Sequence, residues 1–138
     1  MLSDSLAVKR VNPDKHYVID VGLVNAVTTK TDAEKGWKLE NMVYMALRRG
    51  LNQVNYLPLS GNREVDFHVF DYLTRRRRLI QVAYEMSATE TFAREMSALR
   101  EAKKATGIED CTVVTWDDER MTEDGIRIVP IWKWLLEA

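Results

Sequence analysis

The spacing of apolar and polar residues changes period several times along the chain, and each change marks an element. Thr31-Asp-Ala-Glu34 is a capping box, in which each side chain accepts a hydrogen bond from the other residue's backbone N–H. It predicts a helix to about Arg49, with Arg48 and Arg49 complementing the dipole in the last turn and Gly50 as the C′ residue. Ahead of it, residues 1–15 are polar and unpatterned, and His16–Asp20 is a short apolar run read as a buried strand. Three strands follow the helix. Gln53–Leu59 ends at the turn residues Ser60-Gly61-Asn62, and Pro58, which cannot donate to a ladder, suits an edge strand. Glu64–Asp71 alternates, with Glu64, Asp66, His68 and Phe70 on one face and Val65, Phe67 and Val69 on the other. Leu79–Glu85 places Leu79, Gln81, Ala83 and Glu85 opposite Ile80, Val82 and Tyr84. A second capping box, Ser87-Ala-Thr-Glu90, opens a helix whose apolar stripe is Phe92, Met96, Leu99 and Ala102 and whose stop is Gly107. Cys111–Trp116 and Ile126–Val129 read as strands, and Pro130 opens a short terminal helix through Leu136.

Three consecutive strands with short turns imply an antiparallel meander. A strand–helix–strand step then implies a parallel neighbour reached by a right-handed crossover. The fold class is therefore α/β, a mixed sheet flanked by helices, in one domain over residues 12–138 behind a tail of residues 1–11.

Composition narrows the function classes. With 20 Lys+Arg against 21 Asp+Glu the chain carries a net charge of −1, so nucleic-acid binding has to come from a local patch. At 46% hydrophobic and 30% charged residues it is an ordinary globular chain. No uncharged stretch approaches the ~20 apolar residues of a membrane span, and the first 15 residues lack the apolar core of a secretory signal. Cys111 is the single cysteine, so no internal disulfide forms, and with His16 and His68 alone beside it no thiolate–histidine zinc site assembles. These features point to a reducing cytoplasm.

Candidate chemistry is sparse. Glu40 falls near the edge of an apolar helical stripe containing Trp37, Val43 and Tyr44. Asp66 lies in mid-strand, where aspartate is disfavoured, and Gln81 lies in the next strand. These oxygen-bearing side chains can converge on a hard cation. They can equally be an arginine-paired Glu40, a solvent-facing Asp66 and a locally bonded Gln81. The run Arg75, Arg76, Arg77, Arg78 is either a solvated hairpin tip or a set of phosphate contacts, which Arg48, Arg49, Lys103, Lys104 and Arg63 extend only if the fold gathers them. No aromatic is interleaved with the four arginines in sequence. Met42, Met45, Met86, Met96 and Met121 read as core or gap-filling residues, and Trp132 and Trp134 as anchors against the sheet that a short helix cannot bury equally. There is no G-x-x-x-x-G-K-[ST] segment, hence no P-loop ATP site in this chain.

Read together, Asn12-Pro-Asp-Lys-His-Tyr-Val-Ile-Asp-Val-Gly-Leu23, Gly36-Trp-Lys-Leu-Glu40-Asn41, Glu64-Val-Asp-Phe67, Leu79-Ile-Gln-Val82, Glu90-Thr-Phe-Ala-Arg-Glu95 and Ile128-Val-Pro-Ile-Trp132 resemble a C-terminal domain of unknown function. That domain is attached to bacterial and archaeal P-loop ATPases of the AAA class and is similar to the PD-(D/E)XK nuclease superfamily. The resemblance implies a restriction-endonuclease-like αβββαβ core. It also implies an ATPase module in cis or in trans, a nucleic-acid partner, no membrane, and a homodimer as one assembly open to it. Superfamily chemistry uses acidic residues to hold Mg²⁺ on a scissile phosphate and a lysine beside the attacking water. Carried over, Glu40 and Asp66 are the metal ligands, and Glu40, Asp66 and Gln81 the catalytic set. Here Gln81 is neutral where a carboxylate belongs and Ala83 replaces the lysine, although positions 81 and 83 do share a face. The resemblance thus implies a nuclease-related binding or regulatory domain with degenerate catalysis, for which His68, Glu64, Glu85 or Arg94 are the substitutes at hand. A non-catalytic protein-interaction module on the same fold is the competing class. A nuclease gathers Glu40, Asp66 and Gln81 around one open point, whereas an interaction module fills or pairs that point.

Overall fold

The structure, a computed structural model, describes residues 9–10 and 32–137. The predicted strand His16–Asp20 and Thr31 of the first capping box lie outside the described residues. In chain order the elements are β1 (Lys9–Arg10), α1 (Asp32–Arg49), β2 (Asn52–Pro58), β3 (Glu64–Asp71), β4 (Arg77–Val82), α2 (Thr89–Thr106), β5 (Cys111–Thr115), β6 (Arg120–Met121), β7 (Arg127–Pro130) and α3 (Ile131–Glu137).

They build an α/β fold around a seven-stranded mixed sheet in the order β1-β2-β3-β4-β5-β7-β6. The meander β2–β3–β4 is antiparallel, and α2 carries the chain to β5, parallel to β4, as the element order predicts. Strand β7 extends the sheet in parallel, and the short β6 closes that edge antiparallel. Strand β2 is not an edge strand, because Lys9 and Arg10 pair with Tyr56 and Asn55 outside it. Those two residues read as tail in the sequence, where a two-residue strand leaves no periodic signature.

Each face of the sheet has its own helices. Leu39, Val43 and Leu47, at i, i+4 and i+8 of α1, pack with Trp134 of α3 against Phe67, Val69, Ile80, Val114 and Val129. Met96, Leu99 and Ala102 of α2 pack on the opposite face against Leu57, Val65, Leu79, Val113 and Ile128. Each such buried aliphatic side chain contributes on the order of 1.5–3 kcal/mol. Met86 and Met96 are in the core, as expected, whereas Met121 on the short edge strand is exposed.

One prediction about faces fails at a β-bulge. The register passes from Asn55↔His68 to Leu57↔Val65, so Asp66 and Phe67 together oppose Tyr56. Val65 therefore points toward α2 while Phe67 and Val69 point toward α1, and the three do not share a face. The alternation of β4 is as predicted, with Leu79 and Ala83 toward α2 and Ile80, Val82 and Tyr84 toward α1.

Helix ends differ in detail. Helix α2 begins at Thr89, one residue later than the capping box requires, so Ala88 is the N-cap without a side-chain bond and Ser87 donates instead to Glu85. Glu90 remains in the first turn, where its charge still suits the dipole. Gly107 ends the helix in the left-handed region at φ 74°, its N–H bonded to the Lys103 carbonyl. At the end of α1 Gly50 is not left-handed; its N–H and the Asn52 side-chain amide both donate to the Leu47 carbonyl.

Candidate functional site

Opposite ends of the β3–β4 hairpin carry the two sets of residues that the sequence singles out. At the acidic end the bulge aims the Asp66 carboxylate across to β4, where Oδ2 accepts the Val82 backbone N–H at 2.9 Å. The Asp66 N–H donates in turn to Gln81 Oε1 at 2.8 Å. Buried Gln81 uses its other function as well, donating Nε2 to Glu95 Oε2 of α2 at 2.6 Å. Asp66 and Gln81 are thus brought together, as the strand periods predict. The neutral amide forms a bridge that a second carboxylate cannot, since it accepts on one side and donates on the other.

Glu95 is the participant that the motif reading passed over. It lies next to Met96 of the apolar stripe, and its side chain is 12% exposed, the same edge-of-stripe position that drew attention to Glu40. Glu40 itself is half-buried on α1, in the layer on the other side of the sheet from α2 and Gln81. It stands one turn beyond Gly36, which helps to line a cleft of about 420 Å³ with Ala83, Tyr84, Glu85, Arg94 and Glu95. Of the substitutes, Glu85 and Arg94 face this cleft, Arg94 lying 3.5 Å from Glu95. Glu64 is half-buried opposite Pro58. Among the described residues, no group of three or more His, Cys, Asp or Glu side chains is placed to hold a metal ion together.

His68 is fully buried and turns toward the α2 layer, with Arg77 Nη1 3.5 Å from its Nε2 and no partner for Nδ1. Burial, reinforced by the Arg77 charge, pushes its pKa down from 6.5 to about 4. A neutral imidazole sealed in the interior serves packing, not proton transfer at the cleft.

The basic end lies about 17 Å away, five residues along β3 at ~3.3 Å each. Asp71 pins the turn, its Oδ1 accepting the N–H groups of Leu73 and Thr74, and Arg75 takes a left-handed φ of 59°. The four arginines then diverge. Arg75 and Arg76 stand exposed at the tip, while Arg77 lies over the Phe70 ring at 4.9 Å. Arg78 points to the other face, into a groove of about 600 Å³ shared with Arg49, Leu51, Leu73 and Trp134. The Tyr72 N–H bonds the Leu51 carbonyl at 2.9 Å, which ties the α1–β2 turn, with Arg48 and Arg49, to the arginine turn. Arg63 and Lys103 do not join this patch; they pair with Glu101 and with Glu109. Trp134 is buried and Trp132 exposed, the division that a short helix imposes. No helix among the described residues is long and apolar enough to cross a membrane.

Comparison with known proteins adds one relative. The chain is 35% identical over 144 residues to Uncharacterized protein MJ1544 of Methanocaldococcus jannaschii, a match covering 96% of this chain and 31% of that protein. The chain therefore spans about a third of the length of the curated relative it matches. No family model matches the chain, and no solved structure matches it.

Proposed function

We propose that this chain is a nuclease-like domain that binds nucleic acid at its arginine end without hydrolysing it, and that it serves a P-loop ATPase module as a regulatory or targeting domain. One observation carries the reading: Gln81 spans Asp66 and Glu95 where the restriction-endonuclease-like lineage places a metal-binding carboxylate. The donor set fits Mg²⁺ poorly. The amide oxygen of Gln81 is taken up by the Asp66 N–H, one Asp66 oxygen by the Val82 N–H, and Ala83 supplies no cation for an attacking water. No hydrolytic step is assigned to these residues. The αβββαβ order with a parallel β4–β5 step supports the restriction-endonuclease-like assignment. The part of the relative beyond the match leaves length for a motor domain, which supports the ATPase association.

Binding is assigned to the other end of the hairpin. In a chain of net charge −1, Arg48, Arg49, Arg75 and Arg76 gather on adjoining turns and enter none of the ion pairs of the described residues. Such a patch meets phosphates with an affinity that falls steeply with salt. Leu51 and Leu73, exposed within the patch, favour the competing protein-interaction reading.

The test pairs two assays on the full chain. Fluorescence anisotropy of labelled oligonucleotides between 20 and 200 mM salt is expected to give binding whose log–log salt slope flattens by about 2 in the Arg75→Ala/Arg76→Ala variant. Nicking of supercoiled plasmid in Mg²⁺ or Mn²⁺ is expected to be absent. Failure to bind at 20 mM salt overturns the nucleic-acid reading. Metal-dependent nicking that Asp66→Ala abolishes overturns the non-hydrolytic one.

A further inference from the structure

Tyr72 is an exposed aromatic in the arginine turn, three residues before Arg75, and the fold ties the turn that follows α1 to it. Its ring meets Phe70 edge-on at 5.3 Å and 90°, Phe70 is covered by the Arg77 guanidinium at 4.9 Å, and the Tyr72 hydroxyl reaches Gln53 Oε1 at 3.5 Å. Its backbone N–H is held by Leu51. With its hydroxyl and its backbone both held, the residue is still 55% exposed. Leu51, whose carbonyl holds that N–H, and Leu73, the next residue in the chain, are 60% and 76% exposed. Arg75 and Arg76 follow Tyr72 in the same turn, Arg48 and Arg49 end α1 just before Leu51, and Asp71 is engaged by the turn's own N–H groups.

We infer that this surface takes single-stranded rather than duplex nucleic acid, with an unpaired base lying on Tyr72 and the arginines following the phosphates. The inference rests on the nucleic-acid reading above and specifies its ligand. Phosphates alone explain the arginines, but not an exposed aromatic ring held in place beside them. In a duplex both faces of each base are covered by neighbouring pairs, and the ring finds nothing to stack on. In a single strand the faces are open, and one base on an aromatic ring gains about 1–3 kcal/mol, or roughly 5- to 150-fold in affinity. The pre-set ring loses little rotamer freedom on binding, which preserves that gain.

The experiment measures anisotropy of a labelled 12-nucleotide mixed-sequence strand and of the corresponding duplex, at 50 mM salt. It compares the wild-type chain with Tyr72→Ala, Tyr72→Phe and Arg75→Ala/Arg76→Ala. The expected result is tighter binding of the strand than of the duplex, a loss of at least about 5-fold for the strand alone in Tyr72→Ala, and retention in Tyr72→Phe. The double arginine variant weakens both ligands. Equal affinity of strand and duplex, or an equal loss for both in Tyr72→Ala, overturns the inference and leaves the nucleic-acid reading standing. Binding of neither ligand by the wild type overturns both. Polyglutamate binding in place of either nucleic acid likewise overturns both and assigns the surface to an acidic protein segment.

Discussion

Replacing His68 by leucine removes the one histidine among the described residues, and the size of the effect on the pH dependence of stability follows from its surroundings. The imidazole is fully buried between strands, with Nδ1 unpartnered and Arg77 beside Nε2. Protonation therefore forfeits hydration and adds a like-charge contact, which is why its pKa falls from 6.5 to about 4. The unfolded chain takes up a proton near pH 6.5, whereas the folded chain refuses it until about pH 4. This contribution to stability is complete above pH 6.5, declines as the pH falls through that value, and levels off below pH 4. At ~1.4 kcal/mol per unit, the wild type loses about 2.5 kcal/mol between pH 7 and pH 4.5 that the leucine variant keeps. Urea unfolding of both proteins at both pH values measures the double difference, and His16, present in both, cancels. A wild-type-minus-variant gap that is unchanged between the two pH values refutes the assignment, as does an NMR titration of His68 with its midpoint near 6.5.

Further outcomes follow from the same geometry. Gln81→Leu strands the Asp66 N–H and the Glu95 carboxylate and is expected to cost about 2–4 kcal/mol by urea unfolding, while Glu85→Gln at the exposed cleft rim changes stability by less than about 0.5 kcal/mol. Trp134→Ala opens a cavity between α1, α3 and the sheet at about 3–5 kcal/mol, whereas Trp132→Ala lies within about 0.5 kcal/mol of wild type, both read by thermal melts. Cys111 is buried, its Sγ donates to the Ile108 carbonyl, and burial pushes its pKa up to about 11. Its reaction with a disulfide reagent at pH 8 is therefore expected to be far slower in the folded chain than in urea, as absorbance of the released thiolate would report.

Periodicity and end signals determined most of the architecture. The α2 stripe ending at Gly107, the β4 alternation and the parallel β4–β5 step all follow from local spacing and from the handedness of crossovers. These are properties of residues close together in the chain, so the sequence contains them. The proximity of Asp66 and Gln81 was legible for the same reason, since adjacent strands align like positions.

The tertiary structure alone decided what those residues do. A single extra residue in β3 sends Val65 and Phe67 to opposite faces and turns Asp66 toward the Val82 N–H, and no one-strand pattern announces a bulge that exists only relative to its partner strand. Glu95 closes the network from 14 residues beyond Gln81, a pairing that depends on how α2 packs. Four consecutive arginines look like one patch in the chain, yet strand alternation parts Arg77 from Arg78, and the α1–β2 turn brings Arg48 and Arg49 to the tip instead. Charge and aromatic surface add up in space, not along the chain. For that reason the sequence could supply every residue of the candidate interface without showing that Tyr72 is exposed and tied to the turn that follows α1.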